Sequence, residues 1–294
     1  MDAIILFSHG SLLCGAGVAL EAHAARLRER NLAPLVEVGY LNYSEPLFGE
    51  VAAKCVAAGA DRIIVVPYFL VPGYFVKVDL PKAVAEAQAT HPGVRFVVAE
   101  AIGFDVALAD ALIESARDAA PPERWREDLR RAAASCRADP RCPLYDTPDC
   151  PRGKRQQEEP LSDFDSPIPA PGPDALLVMV HGSPHPAANA DMYRVVEIVR
   201  QRGVFPIVEV GFLECNAPTI PEAMDACVAQ GAACLRAVSY FLHTGGHVAG
   251  DLPALLEEGR ARHPNVAFRL GDYLGRSQRL TDILAARARA ALHS

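Results

Sequence analysis

The chain has 294 residues, 50% of them hydrophobic, and a formal charge of −7, which is enough apolar matter for one or two buried cores. The acidic balance argues against a general nucleic-acid-binding or acidic-membrane surface, and no apolar run approaches membrane-spanning length. No basic, apolar leader precedes the first strand and the eight cysteines are irregularly spaced, so a cytoplasmic protein with thiols or metal ligands is expected, without a disulfide framework.

In chain order, residues 3–7 (AIILF) form a short continuous apolar run ending at a turn, the pattern of a strand buried on both faces. A helix follows over about 18–30, then a strand at 35–39 (LVEVG) and a helix at 46–58, with Pro46 early in its first turn and Gly59 stopping it. Residues 63–67 (IIVVP) give a third strand, followed by an open loop, a helix at 80–90, a strand at 94–98 and a helix at 105–117. Strand and helix alternate throughout, which specifies a four-stranded parallel sheet wrapped by helices.

The order then recurs, with strands at 175–180, 207–211, 235–239 and 266–270. One constant offset, without a gap, carries His9-Gly10-Ser11 onto His181-Gly182-Ser183, residues 36–39 (VEVG) onto 208–211, and residues 68–80 (YFLVPGYFVKVDL) onto 240–252 (YFLHTGGHVAGDL). The chain is therefore a tandem duplication. Residues 1–118 form the first repeat, 119–173 a middle segment, and 174–294 the second repeat. The middle segment begins with a charged, helix-prone stretch containing Trp125, continues through Cys136, Cys142 and Cys150 (CRADPRCPLYDTPDC), and ends in a proline-rich acidic linker.

The copies differ where chemistry is expected. Ligands of open α/β sheets bind beyond the carboxyl ends of the strands, and there the second repeat has His181 after its first strand, Glu214 after its second and His247 after its third. The first repeat keeps His9 but has Asn42 for Glu214 and Phe75 for His247. A turn histidine with no role is the plain alternative for each imidazole taken alone. Together in one crevice, two neutral imidazoles and a carboxylate suit a divalent first-row ion and take up protons near neutral pH. His-Gly after a first strand is also similar to phosphohistidine phosphatases, whose nucleophilic histidine follows an arginine; Ser8 and Val180 stand there instead. His243 and His185 read equally well as exposed loop residues. Cys14 and Cys215 lie on loops near the crevices as possible thiol ligands, whereas Cys55, Cys227 and Cys234 fall at core positions.

The strand-HGS turn, VEVGFLE at 208–214 and YFLHTGGHVAGDLP at 240–253 together resemble the class II chelatases of the CbiX/SirB type, which insert cobalt or iron into sirohydrochlorin. The resemblance covers both repeats and leaves the middle segment outside. It implies two tandem chelatase-like (flavodoxin-like) α/β domains, and a sirohydrochlorin chelatase acting on Co²⁺ or Fe²⁺ for cobalamin or sirohaem synthesis. The metal-facing histidines would be His181 and His247, with Glu214 as the carboxylate that orients an imidazole or relays a proton. Long members of the family keep the site in the amino-terminal half, whereas here the intact set lies in the second repeat. Some members carry clusters on added segments, which extends to Cys136, Cys142 and Cys150 an iron–sulfur expectation; a structural zinc or a plain loop are the other readings. Lys77 and Arg276 are candidate cations for the carboxylates of the tetrapyrrole, with a solvated surface charge as the plain reading of each. The expected partner is that tetrapyrrole alone, with no nucleic acid or membrane, on a monomer or homodimer. A non-catalytic metal or tetrapyrrole carrier is the competing function.

Overall fold

The computed structural model describes residues 1–11, 15–121, 172–245 and 247–293. Cys14 and the middle-segment thiols Cys136, Cys142 and Cys150 lie outside the described residues. The first repeat contains β1 (Asp2–Ser8), α1 (Val18–Glu29), β2 (Leu35–Tyr40), α2 (Phe48–Ala57), β3 (Arg62–Pro67), α3 (Leu80–Thr90), β4 (Arg95–Val98) and α4 (Ala107–Arg117). The second contains β5 (Asp174–Val180), α5 (Ala190–Gln201), β6 (Ile207–Phe212), α6 (Ile220–Ala229), β7 (Cys234–Ser239), α7 (Leu252–Arg262), β8 (Ala267–Leu270) and α8 (Gln278–Leu292). No described helix is long and apolar enough to cross a membrane.

The sheets run β2-β1-β3-β4 and β6-β5-β7-β8, with every neighbouring pair parallel. The continuous apolar runs of the sequence have their cause here: Ala3 to Phe7 and Ala175 to Met179 are fully buried, because helices cover both faces of the central strand. The chain winds one way from β5 to β6 and the other way from β5 to β7. The loops after these three adjacent strands therefore emerge side by side at one sheet edge, the usual ligand position of such a fold.

Three local expectations are revised. Pro46 does not open α2. Its carbonyl accepts the Tyr40 N–H at 3.0 Å, and Tyr40 bridges Leu47, so the chain stays extended until Phe48. Asp105 lies before α4, where its Oδ1 accepts the Ala107 N–H at 3.0 Å. The loop expected after the third strand carries a π-helical turn in each repeat, Phe75–Asp79 and His247–Asp251, running directly into α3 and α7.

Compact units and sequence repeats do not coincide. One unit holds β1, residues 16–107 and the described residues from 278 on, and the other holds the described residues from 108 to 277. Thus α8, from the second repeat, completes the first unit. Its Thr281 Oγ1 lies 2.8 Å from Nδ1 of the buried His23, Arg62 donates to Leu292 O at 3.0 Å, and Arg287 donates to the carbonyls of Ala101 and Ile102 at 3.2 Å. In the same manner α4 completes the second unit. Arg236 donates to Ala116 O at 3.1 Å, Ser115 Oγ donates to Asp272 O at 2.6 Å, and Ala120 pairs antiparallel with Leu270. The boundaries at 118 and 174 mark where the sequence recurs, while the fold closes elsewhere. The physical reason is equivalence: buried Leu108, Leu112 and Ala116 of α4 recur as buried Leu280, Leu284 and Ala288 of α8, so either helix carries the face that either sheet needs.

This placement predicts the outcome of Leu284→Ala. Removing the fully buried side chain should cost about 3 kcal/mol, and hydrogen exchange should accelerate in β1 and β3, in the other repeat. Acceleration confined to β5 and β7 would contradict it.

Candidate metal centre

His181 immediately follows β5 and is held by its own turn. Gly182 has φ +94°, and a Cβ at that position would run into the Glu214 carbonyl, so only glycine lets the two loops lie against each other. Beyond the ends of β5 and β6 the pairing continues, Leu213 N–H to Val180 O at 2.8 Å and Glu214 N–H to His181 O at 2.9 Å. Asn216 Oδ1 accepts the Ser183 N–H at 2.7 Å and an Asn189 amide N–H at 3.1 Å, tying the far side of the turn. Thr219 then caps α6, its N–H donating to Glu222 Oε2 at 2.7 Å and its Oγ1 accepting from Glu222 N–H at 3.4 Å. The Thr219 N–H on its carboxylate, with the Thr219 hydroxyl beside it, holds the Glu222 carboxyl below the usual carboxylate range.

His247 opens the π-helical turn after β7, and its Nδ1 lies 2.7 Å from Asp251 Oδ2 four residues on. His181 Nδ1 lies 3.1 Å from Gly182 O. A carbonyl oxygen only accepts, so at His181 the proton sits on Nδ1 and the lone pair on Nε2; the carboxylate imposes the same tautomer on His247. The two rings stand 5.1 Å apart at 75°. His181, His247 and Glu214 each offer one ligand atom, and these atoms all lie within 4.8 Å of one another. His181 and Glu214 are exposed and His247 is half-buried. Two imidazole nitrogens and a carboxylate oxygen match a divalent first-row ion, and three protein ligands on an open edge leave further coordination positions for an incoming group.

The three residues singled out in the sequence are therefore brought together. The imidazole-orienting contact expected of Glu214 is made at His247 by Asp251, whose signal was its position four residues after a histidine at a helix entry. His185, His243 and Cys215 stand outside the three-residue cluster. Arg276 pairs with Asp272 at 3.5 Å, and Lys77 lies exposed on the π-helical turn of the first repeat. Cys55, Cys227 and Cys234 are buried, which pushes the Cys55 thiol up to about 11 and the Cys227 thiol up to about 12, so both are protonated core groups.

The first repeat keeps the scaffold and loses the ligands. Gly10 has φ +91°, Asn42 N–H donates to His9 O at 3.1 Å, and His9 Nδ1 lies 3.1 Å from Gly10 O. Beside the imidazole stand the rings of Phe75 at 4.2 Å and Tyr43 at 5.4 Å between centroids. Asn42 Oδ1, in the place of the Glu214 carboxylate, is buried without a hydrogen-bond partner among the described residues.

A doubly wound parallel sheet with an open two-histidine, one-carboxylate cluster at its carboxyl edge defines an α/β protein with a candidate divalent-metal centre. The CbiX family model matches residues 3–119 and 175–291, and the chain belongs to that family. It is 26% identical over 258 residues to the sirohydrochlorin cobaltochelatase of Priestia megaterium, covering 88% of this chain and 70% of that protein. It is 33% identical over 114 residues to the sirohydrochlorin ferrochelatase of the same organism, covering 39% of this chain and 43% of that protein. In fold it is similar to SirB from Bacillus subtilis solved with Fe³⁺, with a TM-score of 0.71 and 19% identity over 99% of this chain and 95% of that one.

The turn geometry predicts that Gly182→Ala destabilises the protein by about 2 kcal/mol or more, through left-handed backbone strain and the clash with the neighbouring loop. Gly245→Ala, where a Cβ meets open space, should leave the denaturation midpoint nearly unchanged. Equal midpoints for the two variants would refute the role given to Gly182.

Proposed function

We propose that the protein is a sirohydrochlorin chelatase that inserts Co²⁺ or Fe²⁺ into the free macrocycle at the second-repeat centre. The observation that carries this reading is the convergence of His181, Glu214 and His247 from three separate loops onto one ion-sized space. The names of its relatives, cobaltochelatase and ferrochelatase, supply the reaction class.

The ion is the substrate, and the reaction exchanges it for two pyrrole protons. Nε2 of His181 and of His247, with a Glu214 oxygen, replace part of the water shell of the incoming ion. As the ion passes to the pyrrole nitrogens, the imidazole lone pairs that held it are released and become proton acceptors. Asp251, 2.7 Å from His247 Nδ1, steadies the ring while it is neutral and stabilises the imidazolium once it gains a proton. Glu214 is exposed, so protons pass from the centre to solvent through its carboxylate. The exchange transfers no electrons. An iron–sulfur cluster on Cys136, Cys142 and Cys150 would therefore have no electron to supply to this exchange, and the visible spectrum of anaerobically purified protein tests for it.

Metal insertion followed by the absorbance change of the macrocycle tests the proposal. Many turnovers per protein are expected, and a reaction that stops at one equivalent would favour a carrier instead. His247→Phe, which installs the residue of the first repeat, should bring insertion to background, and unchanged turnover would remove the site assignment. Asp251→Asn should weaken Co²⁺ binding about 10- to 100-fold, with partial recovery in Asp251→Glu. Unaltered affinity in both would show that the carboxylate does not position His247.

A further inference from the structure

We propose that the altered site of the first repeat binds the metallated macrocycle, with His9 Nε2 as an axial ligand to its metal. This rests on the reading that the second-repeat centre inserts the ion.

His9 is preserved as a ligand in every respect that the backbone controls. It follows β1 as His181 follows β5, its turn glycine has the same positive φ, and its Nδ1 faces the next carbonyl at the same 3.1 Å. The lone pair of Nε2 is thereby presented, and the ring is half-buried. What the site lacks is a ligand set for a free ion. Phe75 and Asn42 replace the second imidazole and the carboxylate, leaving a single nitrogen beside two aromatic rings. One imidazole in apolar surroundings cannot repay the hydration of a divalent cation. A metal already held by four macrocycle nitrogens has paid that desolvation and lacks only an axial donor.

The rings of Tyr43 and Phe75 beside His9, and the two loops that carry them, fit such an occupant. At four positions the first repeat carries a larger apolar or aromatic group than its counterpart, Tyr43 for Cys215, Tyr74 for Gly246, Phe75 for His247 and Val78 for Gly250, and at a fifth the apolar Val71 replaces His243. All five are exposed, Tyr74 at 67% and Tyr43 at 51%. A ligand site that had merely decayed would not be expected to gain exposed apolar surface, since such patches favour association and mark binding places. Flat π-faces pack well against this surface. Lys77, on the same π-helical turn and in the place of Ala249, adds an exposed cation for peripheral carboxylates. The free ion and its complexed form would thus have different stations in the two repeats, distinguished by how many donors each station must supply.

The test uses cobalt(II) uroporphyrin, a preformed carboxylated macrocycle, added anaerobically to the full-length protein and followed by electron paramagnetic resonance. A five-coordinate cobalt signal with triplet splitting from one axial nitrogen is expected, changing to a doublet in protein labelled with ¹⁵N-histidine. The splitting should be lost in His9→Ala and retained in the double variant His181→Ala, His247→Phe. Persistence in the first, or loss in the second, would overturn the proposal. As a probe that spares the turn, Tyr74→Ser with Phe75→Ser should weaken binding of the same probe by about 10-fold or more; unchanged affinity would assign the apolar patch to another occupant, such as a second copy of the chain, and overturn the macrocycle assignment. Wild-type insertion into sirohydrochlorin is measured separately. Failure there removes the functional reading while uroporphyrin binding stays measurable, and active insertion without a His9-dependent signal removes this inference alone.

Discussion

Two amide hydrogen bonds beyond the end of the second sheet, Leu213 N–H to Val180 O and Glu214 N–H to His181 O, decide where a carboxylate stands relative to an imidazole. Everything else about the centre depends on this extension of the sheet into its loops. It requires a glycine at 182, because a side chain would separate the two loops. It also sets the task of the third loop, which has only to deliver one more nitrogen to a place already defined. The π-helical turn does so with His247 at its first residue and Asp251 at its last, so that a single turn supplies both an imidazole and its orienting partner. A metal site made from strand ends is more rigid than one made from free loops, because each ligand lies within a residue or two of a backbone that the sheet fixes.

The first repeat separates scaffold from chemistry. It has the same strand order, the same left-handed glycine and the same π-helical turn, yet Phe75 and Asn42 stand where the second repeat has an imidazole and a carboxylate, and among the described residues no metal-ligand cluster includes His9. The scaffold alone therefore does not supply a ligand set, and within that set the repeats differ at two side chains, Asn42 for Glu214 and Phe75 for His247. Asp79, which corresponds to Asp251, persists opposite a position that now holds Phe75. The turn conserves its form although the contact that makes the carboxylate useful in the second repeat cannot exist in the first.

Much of this was legible in the sequence because burial on both faces writes strands as unbroken apolar runs, and because an ungapped duplication turns every difference between copies into a signal. His181, Glu214 and His247 were found that way. Three features were not legible, each for a physical reason. Asp251 contacts His247 across one turn, but the sequence does not say which of two nearby carboxylates reaches a given imidazole, and the role was assigned to Glu214. Pro46 suits the first turn of a helix as well as it suits the extended segment whose carbonyl takes the Tyr40 N–H beside the Tyr40–Leu47 bridge, so sequence alone does not separate the two. The exchange of final helices is invisible in principle: Leu112 and Leu284 occupy equivalent places on equivalent faces, so no local preference distinguishes one destination from the other.

That exchange bears on how such a gene can change. Since β1 and β3 are roofed by the last helix of the chain and the second sheet by the last helix of the first copy, neither copy can be discarded by a simple truncation, however little chemistry it retains. The repeat without the three-residue cluster is tied to the one that has it through ancestry as well as architecture. It is free to drift at its crevice and constrained everywhere else, which are the conditions under which a duplicated site acquires a new ligand.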